Sequence, residues 1–248
     1  MVGGHSLKAN FARIMDNFFD RPAPAVPWTP GDVAWGLLAF GLWIVFFMGV
    51  GLVGTQLELP IDVGLVVVFG EAILLLPAWY FAIHKYGASW VDLGLRPFRP
   101  RAVGWGCGLM ILSLLLNLAY ASLLARFNLQ IQPEIELIFA GTDFPLALLF
   151  GGAIVAPFVE EVFFRGFVFT GLRGKWGWKK AALVSAGLFA LAHVVPTSIL
   201  PIFVLGLIFA ALYQVSGSIW PGILMHMLTN TVALSAAYAS SQGWLPMP

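Results

Sequence analysis

The segment FPLALLFGGAIVAPFVEEVFFRGFVFTGL, residues 144–172, decides the fold: it is apolar enough to cross a bilayer as a helix, yet carries Glu160, Glu161 and Arg165 in its interior. A spanning helix needs about 20 mostly apolar residues. Charged groups at that depth are costly and face the bundle interior or a water-filled cavity. Glu161 and Arg165 are four apart and can pair along one face, whereas Glu160 points about 100° away and is free to meet another partner. Pro157 removes a backbone hydrogen bond just ahead of the cluster and loosens the helix where water or substrate would enter. Taken alone, the cluster reads equally well as an ion-pair knot that ties helices together.

The rest of the chain is built for the same solvent. Of its 248 residues 60% are hydrophobic and 10% charged, with a mean hydropathy of +0.89, against roughly 25% charge in soluble domains. Apolar windows place seven helices, near 33–54, 62–84, 102–125, 144–172, 179–195, 198–215 and 219–240. The expected fold is an all-α polytopic transmembrane helix bundle of roughly six to eight spans around an intramembrane polar cavity. Residues 31–248 form its single transmembrane domain. A net charge of +1 leaves no basic field for a nucleic-acid partner. Cys107 is the one cysteine, so no intrachain disulfide forms, and it reads as helix packing.

Residues 1–30 read as an N-terminal cytoplasmic segment with no cleavable signal peptide. Phe11, Ile14, Met15, Phe18 and Phe19 fall at helical spacing, which predicts an amphipathic helix lying in the membrane interface, ended by the prolines at 22, 24 and 27. Eleven of the thirteen Lys and Arg residues fall on one side of the predicted spans, in 8–21, 85–101 and 173–180. Arg126 falls on the other, and Arg165 lies within a span. The bias of basic residues towards the cytoplasm sets the N-terminus inside.

Other polar side chains also lie within the predicted spans. They are Glu71, His193, His226 and the uncharged Asn230. A lone histidine on an apolar face is more often a satisfied core group, and the four-residue spacing of His226 and Asn230 is weak by itself. Depth links them. Glu160 lies 13 residues before the basic turn 173–180 and His193 13 residues after it, so both stand about 20 Å from that side. By the same rise His226 lies about 9 Å and Asn230 about 15 Å beyond Trp220, and tilt of the last helix would bring them to the same layer.

Burial opposes ionisation of a carboxylate and protonation of an imidazole, so a Glu/His pair in an apolar medium is poised for proton transfer and can activate water. A second His and an Asn supply hydrogen bonds to the oxyanion that forms when water attacks a carbonyl. These are the parts of an amide hydrolase that forms no acyl-enzyme.

Glu160-Glu161 with Arg165, Phe189 with His193, and His226 with Asn230 follow the patterns Glu-Glu-x-x-x-Arg, Phe-x-x-x-His and His-x-x-x-Asn, in that order. In this the chain resembles the type II CAAX prenyl protease and bacteriocin-processing family of membrane proteins, also called CPBP or Abi. The resemblance covers mainly 144–240, and the stretch 90–95 looks like a loop common in the family. It implies a membrane endopeptidase in which Glu160 and His193 activate water, His226 and Asn230 hold the oxyanion, and Glu161 with Arg165 position the site. The family is often labelled metalloprotease, and Glu160, His193 and His226 could bind zinc with an open fourth position; a metal-free mechanism without any cofactor is favoured slightly.

Rival chemistries lack their motifs: there is no His-Glu-x-x-His and no Gly-x-Gly-Asp, and Gln214-Val215-Ser216-Gly217 lacks the leading glycine of a rhomboid-type serine motif. Readings from other classes are a proton-coupled transporter, since intramembrane acids and histidines also build proton relays, and a non-catalytic bacteriocin-immunity protein. The expected partners are the lipid bilayer and a membrane-anchored protein or peptide substrate, either a CAAX-type tail or a peptide in maturation.

Overall fold

The computed structural model describes residues 24–59, 61–131, 138–139 and 141–245. The amphipathic helix expected over 11–19 lies outside the described residues. Among the described residues seven main helices follow one another: α1 Pro30–Gln56, α2 Gly64–His84, α3 Arg101–Ala125, α4 Pro145–Trp176, α5 Trp178–Ala192, α6 Ile199–Ser216 and α7 Trp220–Ser241. Each coincides with one apolar window.

Five are long and apolar enough to cross a membrane: α1, α2, α3, α4, and α6 with its lead-in from Pro196. The other two differ from the seven-span expectation for separate reasons. α5 has 15 residues, about 22 Å of rise against a hydrocarbon core of about 30 Å. α7 has 22 residues, but His226, Thr229, Asn230, Thr231 and Ser235 dilute its apolar character.

Local chemistry fixes the helix starts. Thr29 caps α1 in a reciprocal box with Asp32, and Pro30 follows at the first helical position, where its missing N–H costs nothing. Asp62 accepts from Leu65 N–H at the start of α2, and also from Thr142 Oγ1 and Asp143 N–H just before α4. One carboxylate thus joins two helix starts. Pro77 has no N–H to continue the ladder, and α2 breaks at Leu74 before resuming as a wider π-helical stretch, Trp79–His84.

α4 is the hub. Its first half packs on α2 and α7, its middle on α5 and α6, and its last turns on α1. Residues 161–173 are all buried, among them four phenylalanines, whereas α1 and α3 turn long apolar side chains outward to where lipid would lie. The helices are held at one end by a set of polar ties. Trp28 Nε1 donates to Phe167 O at 3.0 Å, Lys85 and Tyr86 bind the buried Asp32, and Ser218 Oγ donates to Arg96 O at 2.6 Å.

The loop over 89–96 closes that end. Hydrogen bonds from the Ser89 N–H and Oγ, with help from the Arg96 cation, hold the Asp92 carboxyl below its ordinary range. The loop so fixed drives Leu93 into the core, fully buried, against α4. A Cβ on Gly166 would stand 2.5 Å from Leu93 O, so only glycine lets the loop seat. Gly166→Ala is expected to lower stability by about 1–3 kcal/mol, seen as earlier thermal unfolding in detergent. Gly174→Ala, where a Cβ meets open space, serves as the unchanged control.

Candidate active site

Around the Glu pair α4 is not a regular α-helix. It is π-helical over Gly151–Val155, α-helical over Ala156–Glu160, and π-helical again over Glu161–Phe169. Pro157 cannot donate to the preceding turn, so the ladder changes register around it. Such widened turns occur often at functional sites.

Glu161 and Arg165 are both fully buried and pair at 2.8 Å, as an ion pair rather than as an aligned hydrogen bond. Arg165 Nη2 donates to Gly206 O on α6 at 3.2 Å, and the guanidinium lies 4.3 Å from the ring centroid of Phe189 on α5 and 5.3 Å from that of Phe209 on α6. Two glycines make room for the pair. A Cβ on Gly206 would fall 3.2 Å from Arg165 Nη2, and one on Gly222 of α7 3.1 Å from Glu161 Oε2. Sequence reasoning missed Gly206, Gly222 and Phe209, because nothing in their spacing marks which helix faces them.

His226 on α7 stands between the two carboxylates. Its Nε2 is 3.5 Å from Glu160 Oε2 and its Nδ1 3.5 Å from Glu161 Oε1. The ring stacks on Phe209 at 5.0 Å and meets Phe189 edge-on at 5.7 Å. One turn later, Asn230 Nδ2 donates to Gly152 O at 2.9 Å, in the first π-helical stretch of α4.

His193 caps α5, which ends at Ala192 rather than near 195, and Val194 then takes the left-handed conformation at φ 59°. His193 Nδ1 lies 2.9 Å from Phe189 O. A carbonyl can only accept, so Nδ1 carries the proton and a neutral ring leaves Nε2 bare. Its ring meets Phe189 at 4.9 Å. The same phenyl ring therefore touches both histidines. Among the described residues no ion pair joins Glu160 to His193; the imidazole set against Glu160 is that of His226.

Glu71, which the sequence marked but gave no partner, lies on α2, which packs against the Ala156–Glu160 turn of α4, and its Oε2 is buried without a hydrogen-bond partner. Two adjoining cavities of about 330 and 210 Å³ run between α1 and α2, sharing Phe47 and Val66, and the smaller ends at Glu71.

The donor set does not fit zinc. Among the described residues no group of three or more His, Cys, Asp or Glu is arranged to hold a metal ion. His226 divides its two nitrogens between two carboxylates and His193 turns Nδ1 to backbone, so Glu160, His193 and His226 do not converge on one point.

Carboxylates, histidines and an asparagine are thus gathered in one layer of the helix bundle. Residues 142–232 match the family described as "Type II CAAX prenyl endopeptidase Rce1-like". The likeness to that family thus lies in this segment, which holds Glu160, Glu161, Arg165, His193, His226 and Asn230. A Bacillus subtilis (strain 168) protein named "Putative membrane peptidase YdiL" is 34% identical over 79 residues, 32% of this chain and 32% of that protein. The chain thus covers about a third of that relative's length. No solved structure matches.

Breaking the buried pair should be costly, because it strands a charge away from water. Arg165→Met alone is expected to destabilise by about 3–5 kcal/mol, and the double change Glu161→Leu with Arg165→Met by much less. Thermal unfolding of the detergent-solubilised protein compares the two.

Proposed function

We propose that this protein is an intramembrane endopeptidase in which Glu160 and His193 activate a water molecule against a peptide bond of a membrane-associated substrate. The observation that carries the reading is the polar layer itself. Glu160, His226 and Asn230 meet where α4 and α7 pack, with His193 across the Phe189 ring.

The water is taken to sit against Glu160. Glu160 Oε2 is buried without a hydrogen-bond donor and takes one proton from that water. The bare Nε2 of His193 accepts the other hydrogen and orients the oxygen. Hydroxide adds to the carbonyl carbon, and the oxyanion is held by the Nε2–H of His226 and an amide N–H of Asn230. Asn230 has two such hydrogens and gives only one to Gly152. Glu160 then delivers its proton to the amide nitrogen, the C–N bond breaks, and an amine and a carboxylic acid leave. Glu161 and Arg165 hold the layer in register, and no step needs a metal.

Two readings of the substrate rest on family likeness: a CAAX-type tail, or a peptide in maturation. In both, the scissile bond must be locally extended, because a helical backbone hides its carbonyl. The basic bias of the loops supports an N-terminus in the cytoplasm.

Hydrolysis of fluorogenic tail and membrane peptides by the purified protein tests this. Glu160→Ala and His193→Ala are each expected to lower kcat by about 10²–10⁴-fold, and Asn230→Ala by about 10²–10³-fold. A zinc chelator is expected to leave the rate unchanged. Cleavage that survives Glu160→Ala would sink the assignment, and cleavage of no peptide would shift weight to the transporter or immunity readings.

A further inference from the structure

We propose that Phe209 is a positioning residue for His226: its ring fixes the plane of the imidazole, and so the direction in which Nε2 points. The role in catalysis rests on the peptidase reading above.

His226 needs such a support because its polar neighbours do not give one. Nε2 and Nδ1 each stand 3.5 Å from a carboxylate oxygen, too far for strong, aligned hydrogen bonds, and Nδ1 has no hydrogen-bond partner. The torsion that turns an imidazole about its Cβ–Cγ bond has only broad wells of its own, so packing must set it. Two phenyl rings do this. Phe189 meets the imidazole at right angles, 90° and 5.7 Å between centroids, while Phe209 lies nearly parallel to it, at 25° and 5.0 Å. A near-parallel face resists rotation in either sense, since tilting the imidazole drives one of its edges into the phenyl ring.

Phe209 is itself held from several sides. It is fully buried on α6, and the Arg165 guanidinium lies 5.3 Å from its centroid. It shares a cluster with Leu212 and Met225, against which Val103, Leu109 and Met110 of α3 pack. Contact there is close: a Cβ on Gly106 of α3 would stand 2.9 Å from Met225 Cγ. α3 carries none of the proposed site residues, yet through this cluster it backs the ring on which His226 rests. Donors to an oxyanion act by being aimed before the charge develops. An imidazole free to rock would still bind substrate but would meet the oxyanion in fewer of its orientations, so the loss falls on kcat.

The test uses the full chain in detergent and has two arms. In the cleavage assay Phe209→Leu is expected to lower kcat by about 3–10-fold with KM little changed, the worth of one aromatic contact. In a His226→Ala background the same change is expected to have no further effect, because the residue through which it acts is gone. Leu172→Ala, which empties part of the core at the basic end of α4, is the control for lost packing: it is expected to unfold earlier with kcat unchanged. In the second arm, ring resonances of the four histidines, labelled and assigned by single substitutions, are followed by NMR. Those of His226 are expected to move in Phe209→Leu and those of His193, which rests on Phe189, to stay. Phe209→Met, which refills the volume without a ring, is expected to behave as Phe209→Leu does and stands in for it if that variant does not fold. A kcat equal to wild type, an equal loss with and without His226, or His226 resonances that do not move would each overturn the proposal. Absence of cleavage by the wild type would overturn the peptidase reading and the catalytic role with it, while the NMR arm would still decide whether Phe209 holds the ring.

Discussion

The Glu161–Arg165 pair sets the terms for the rest of the molecule. Two opposite charges are held in a region that otherwise admits only hydrocarbon, and the bundle is arranged so that neither is left alone. Arg165 draws in a carbonyl of α6 and the rings of Phe189 and Phe209. Glu161 draws in His226 of α7. Four helices are thereby committed to one neighbourhood. A buried pair of this kind is a poor source of net stability, since desolvation offsets the attraction. Its effect is on arrangement: any packing that separated the partners would leave a bare charge in an apolar medium.

Close approach at the pair needs small residues, and they are found where the charged atoms sit. Gly206 and Gly222 give up side chains opposite Arg165 and Glu161. Gly166 does the same for the loop that closes the basic end. Membrane helices gain little from hydrophobic association, so contact at backbone distance together with polar ties carries the packing. The irregular turns of α4 belong to the same economy. With Pro157 in the ladder the helix widens instead of breaking, and Gly152 O is left open to Asn230.

Much of this was legible in the sequence, and the division has a physical origin. Hydropathy found the seven helices, because each is an apolar run bounded by polar loops. The i, i+4 relation paired Glu161 with Arg165 correctly, since both lie on one helix whose geometry is fixed. Depth counting put Glu160 and His193 in one layer, but a count along separate helices fixes height and leaves rotation about each axis free. Rotation is what sets His226 rather than His193 against Glu160. Composition also overcounted the self-sufficient spans: α5 is too short and α7 too polar to cross alone, and both are accommodated because α4 and α6 lie beside them.

The shortness of α5 has a consequence for the surrounding lipid. A helix of 15 residues falls about 8 Å short of a core about 30 Å thick. Leu183, Leu191 and Val194 are exposed along it, so acyl chains that lie against this face must shorten or splay to follow it. A bilayer that meets this face is therefore thinner over α5 than along the longer helices, or the helix ends are met by polar side chains instead.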